Sequence, residues 1–93
     1  MMTKVSDFDL SLYLDDKEII AEYLTQVLND GDFDEFYDAI SYIAKARGMS
    51  KVSQDTGLGR ESLYKSFKKG SKPKFETVLK VFKSLDIKLK VIA

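Results

Sequence analysis

The chain has 93 residues, enough for one small domain built on one core. Hydrophobic residues at 44% and aromatics at 12% place it among folded globules, and the absence of cysteine and histidine excludes disulfides, thiol chemistry and the commonest general base. The formal net charge of zero hides a split: residues 1–40 hold eleven acids and two lysines, a net of −9, and residues 41–93 carry the compensating +9. An asymmetry of this size points to two electrostatically different surfaces and so to two partners.

The opening MMTKVSDFDL has no apolar signal-type core, and no run approaches the roughly 20 apolar residues of a membrane span. A soluble cytoplasmic protein without a membrane partner is the expectation. Residues 10–14, LSLYL, alternate with period two as an extended edge segment would. Asp15-Asp16-Lys17-Glu18 then offers a capped helix start, with an acid three positions after Asp15. Ile19, Ile20, Tyr23, Leu24, Val27 and Leu28 form one stripe, and Asn29-Asp30-Gly31 closes a first helix at 17–29. Asp30, Asp32 and Asp34 alternate like the first ligands of a calcium loop. The sixth place is Glu35 instead of glycine and the twelfth is Ser41 instead of an acid, so no metal site is expected. These acids suit the start of a second helix, 33–47, whose inner face would hold Phe33, Phe36, Tyr37, Ile40, Ile43 and Ala44.

Two short helices follow, 50–56 and 60–69, neither long enough to be stable alone. They flank Gly57, which supplies the positive φ of a tight turn. With Val52, Leu58, Leu63 and Phe67 facing inward, the pair reads as a helix-turn-helix, with Ser53 small enough for the crossing. Gly70-Ser71-Lys72-Pro73 is a turn. A fifth helix, 75–85, would bury Phe75, Val78, Leu79, Phe82 and Leu85, and the tail IKLKVIA alternates like a short strand.

With Leu63 and Phe67 inward, the outer face of the second short helix carries Arg60, Glu61 and Lys65, which can donate to guanine or accept from cytosine. These are the expected base-reading residues. Ser50, Lys51, Gln54, Ser62, Tyr64, Lys68 and Lys69 are the expected phosphate contacts, with Lys72 and Lys74 continuing the basic stretch. A homodimer is expected, because one short helix makes too few contacts for a specific site. The alternating tail is the expected contributor and the stripe of the first helix its rival.

The frame of YL at 13–14 and 23–24, Gly31-Asp32, A-I-x-x-I-A-K-A-R-G-M-S at 39–50, GLGRESLYKSF at 57–67, Pro73-Lys74-Phe75 and TVLKVFKSLDIKL at 77–89 resembles the addiction-module antidote proteins. These are small HigA-like helix-turn-helix antitoxins, and the resemblance runs from about residue 8 to 90. It implies an all-α, five-helix domain of the lambda-repressor type over 1–93, with an acidic extension at 1–32, a DNA-binding unit at 33–86 and a C-terminal strand at 87–93. It also implies a DNA-binding autorepressor that neutralises a basic, RelE-like mRNA-cleaving toxin. The acidic half, led by Asp7, Asp9, Asp15, Asp16, Glu18 and Glu22, would hold that toxin. Two departures stand out: Ser53 replaces the usual alanine at the crossing, and Gly59 the usual serine or threonine before the second helix. A stand-alone repressor is the rival function. Catalysis is not expected, since no serine has a histidine to activate it, and no cofactor is implied.

Overall fold

The computed structural model describes residues 10–93. A 3₁₀ turn at Leu10–Tyr13 leads into α1 (Lys17–Asp30), α2 (Phe33–Arg47), α3 (Met49–Thr56), α4 (Arg60–Ser66) and α5 (Phe75–Ser84). α2 packs between α1 and α3, and α3 in turn supports α4 and α5. One core joins all five helices, with Ile20, Leu24, Val27, Ile40, Val52, Leu63, Val81 and Leu85 buried within it. Phe36 and Phe82 meet edge to face at 6.2 Å, and Tyr37 meets Phe67 likewise at 6.4 Å, so aromatic rings tie α2 to α5 and to the end of α4.

Helix starts follow the acids. Asp16 caps α1 by accepting from Ile19 N at 3.1 Å, and Asp32 caps α2 by accepting from Glu35 N at 2.7 Å. The residue three beyond the α1 cap is Ile19, so the cap has no reciprocal carboxylate. Asp34 is spent differently, accepting from the backbone of Gly70 at 3.2 Å and tying the loop after α4 to the start of α2.

Four expectations need correction. Residues 10–13 form a 3₁₀ turn instead of an extended edge, burying Leu10 and leaving Leu12 out, because five alternating residues without a neighbouring strand gain no ladder hydrogen bonds. No strand occurs among the described residues, the tail 87–93 included, for the same reason. α4 ends at Ser66, and Lys68 and Lys69 lie in the turn beyond it, where Ser71 N donates to Lys68 O at 2.9 Å. Phe33 and Phe75, assigned to the core by their spacing, stand outside it, and Leu79 is also exposed.

The end of α5 is a left-handed cap. Ile87 N donates to Phe82 O at 2.9 Å and Asp86 N to Lys83 O at 3.1 Å, with Asp86 at a φ of 61°. Aspartate tolerates this conformation better than most side chains, and its carboxylate also pairs with Lys17 at the start of α1. The hydrogen bond from Lys17 and its charge hold the Asp86 carboxyl below the ordinary carboxylate range, with smaller help from Lys88 and Arg47. A lowered folded pKa adds stability above the unfolded value of about 3.9 and loses it as pH falls through the folded one. Lys17→Met should therefore raise the Asp86 midpoint in a carboxyl NMR titration. An unmoved midpoint would remove the ion pair as the cause.

Candidate functional site

The turn between α3 and α4 is held by its own side chains. Gly57 sits at φ 75°, ψ 8° and donates to Ser53 O at 2.9 Å. The Ser53 hydroxyl donates to Leu58 O at 2.6 Å. Thr56 closes the ring, donating to Val52 O at 2.8 Å while its hydroxyl accepts from Leu58 N at 3.2 Å. Serine at position 53 is thus more than a small residue, since its hydroxyl satisfies a carbonyl of the turn that alanine would leave open. Size alone entered the sequence reading, and the contribution of Thr56 had no signal there. Gly59 precedes α4 with extended backbone and no side-chain cap.

This turn fixes the roll of α4. Leu63 and Phe67 are buried, and Arg60, Glu61, Tyr64 and Lys65 are left on the opposite, solvent-exposed face. Among the described residues, the side chains of Arg60, Glu61 and Lys65 make no hydrogen bond or ion pair, so none of those residues competes for them. Tyr64 is oriented from outside the motif: the ammonium of Lys45, on α2, lies 5.4 Å from its ring centre. Lys45 is a cation on this face that the sequence reading missed, because the packing of α2 against the α3–α4 pair brings it there.

The expected phosphate contacts divide. Ser50, Gln54 and Ser62 are exposed, as are Lys68 and Lys69 on the turn after α4. Lys51 is partly engaged: its ammonium lies 3.4 Å from Asp55, which also accepts from the Ser84 hydroxyl at 2.9 Å. An exposed pair of this kind is weak and yields readily to a phosphate.

The acidic set lies on other elements. Asp15, Asp16, Glu18 and Glu22 are exposed around the start of α1, and Asp7 and Asp9 lie outside the described residues. The negative region extends onto α2. Burial first, then the charges of Glu35 and Asp38, push the Tyr23 hydroxyl above its ordinary pKa. No group of three or more acids among the described residues is arranged to hold a metal ion. No helix among them is long and apolar enough to cross a membrane.

No solved structure matches the chain. A protein of Haemophilus influenzae, described as "Uncharacterized protein", is 36% identical over 91 residues, spanning 98% of this chain and 94% of the relative. The profile of the family described as "Probable addiction module antidote protein" matches residues 4–93. The motifs at 39–50 and 57–67, the five helices and this match agree, and the chain belongs to the addiction module antidote family.

Proposed function

We propose that this protein is the antitoxin of a type II toxin–antitoxin module and represses its own operon by binding DNA through a helix-turn-helix of the lambda-repressor type, formed by α3 and α4. The observation that carries the DNA half is the outer face of α4, where Arg60 and Lys65 project unpaired from a helix whose roll is fixed by a hydrogen-bonded turn. Such a face meets base edges in the major groove, while Lys68, Lys69 and the serines of α3 and α4 follow phosphates. Two copies would read two half-sites about one helical turn apart.

The toxin half of the reading rests on family membership and on charge. A RelE-like mRNA-cleaving toxin must be basic to hold its substrate, and the acids around α1 form a surface of opposite sign. The chain acts in this reading by binding in the cytoplasm, without cofactor or catalysis. The test is fluorescence anisotropy on the duplex upstream of the gene at several salt concentrations. The expected result is binding whose logarithm falls steeply with log salt and exceeds that to scrambled duplex by about 10³-fold or more. Equal binding to both sequences would leave a nonspecific cation surface and no autorepressor.

A further inference from the structure

Phe33 and Phe75 each open a helix, and each is largely in solvent, at 70% and 65% exposure. They are not scattered. Together with Leu28 and Leu89 they rim a cleft of about 260 Å³ whose floor includes Phe36 and Phe82. The cleft is preformed: Phe33 stacks on Tyr37 at 6.2 Å, and the two floor rings lock edge to face. The tail continues from Leu89 at this rim to Val91 and Ile92, which are 91% and 77% exposed.

We infer that this face is the homodimer interface, covered by a second copy of the chain whose C-terminal residues close over the cleft. The inference deepens the dimer named in the proposed function by assigning its surface. Three observations select a second copy as the occupant. Phe33 and Phe75 stand beside Leu28 and Leu89, each 42% exposed, so large apolar side chains share one solvent-facing rim, the kind of surface that marks a protein–protein contact. The cleft and the apolar tail lie side by side on one molecule, so a two-fold axis beside Leu89 lets each copy offer its tail to the other's cleft, a self-complementary arrangement. The charges match as well. Lys88 and Lys90 alternate with the apolar residues of the tail, and Asp30, Asp32 and Asp34 flank Leu28 and Phe33 in the chain. The alternation that forms no strand within one molecule has a use between two.

The test is sedimentation equilibrium of the full-length protein without DNA or toxin, comparing wild type with Phe33→Lys, Phe75→Lys and the pair Val91→Lys with Ile92→Lys. Wild type should sediment at twice the 10.6 kDa chain mass. Both phenylalanine variants should sediment as monomers at concentrations where wild type is dimeric, and the tail variant should weaken the dimer at least tenfold. Helical circular dichroism should be unchanged in all three, because each site is exposed. A monomeric wild type overturns the inference, and so do phenylalanine variants that dimerise like wild type. Variants that keep the dimer but lose toxin binding assign the face to the toxin and overturn it equally. Because no DNA is present, failure here leaves the operator measurement untouched. An operator that is not bound leaves the sedimentation result standing.

Discussion

Lys65→Glu is expected to weaken operator binding by about 100-fold or more while moving the melting temperature by no more than about 4 °C. Leu63→Ala, two residues away on the same helix, is expected to do the reverse. Lys65 projects from α4 with no hydrogen bond or ion pair among the described residues, so its reversal breaks no contact seen there. In the proposed complex, reversal would remove a donor to a base and place a carboxylate against phosphate. Leu63 is 1% exposed and fills the space under the turn, so truncation leaves a cavity costing about 2–5 kcal/mol. A domain of this size has roughly 5–14 kcal/mol in total, so the melting temperature should fall by about 10 °C or more. Thermal denaturation by circular dichroism and anisotropy on the operator duplex read the two effects separately. If Lys65→Glu binds the operator like wild type, the outward face of α4 is not the reading face.

The contrast between these two positions was legible from spacing alone, because a helix held to its neighbours by Leu63 and Phe67 has only one roll available. The same reasoning placed α2 at 33–47, where Asp32 begins it and Gly48 ends it. It failed at helix starts. Phe33 and Phe75 satisfy the apolar period, yet the first turn of each helix overhangs the core, and periodicity carries no information about where the neighbouring helix stops. Two-residue alternation misled twice, at 10–14 and at 87–93, since alternating side chains describe a strand only where another strand can pair with it. The site was less legible than the fold. The hydroxyls of Ser53 and Thr56 and the cation of Lys45 act across turns or between helices, and their roles exist only once the chain is packed.

Neutralisation of the toxin should be lost when Asp15, Glu18 and Glu22 are replaced by lysine together. The three are exposed, so the substitution leaves the buried stripe of Ile20, Leu24 and Val27 in place. Asp16 is kept because its carboxylate caps α1, and removing a cap costs about 1 kcal/mol for reasons unrelated to the toxin. Glu18 lies in the first turn of α1, where its reversal opposes the helix dipole by about 0.3–1 kcal/mol at most, a loss the fold can absorb. The change removes three negative charges and adds three positive ones, a shift of +6 on the face proposed to meet a basic partner. Steered association is accelerated by roughly 10- to 1000-fold by complementary fields, and that gain should turn into repulsion. Wild-type association should slow as salt rises, because exposed charges are screened beyond about 8 Å at physiological ionic strength. The triple variant should associate slowly at low salt and faster as salt screens the repulsion. Stopped-flow binding to the purified toxin reads this inversion, and growth of cells expressing the toxin with each variant reads its consequence. Protection equal to wild type by the triple-lysine protein would move the neutralising surface away from α1, with the Glu35 and Asp38 side of α2, already felt by Tyr23, as the next acidic face to reverse.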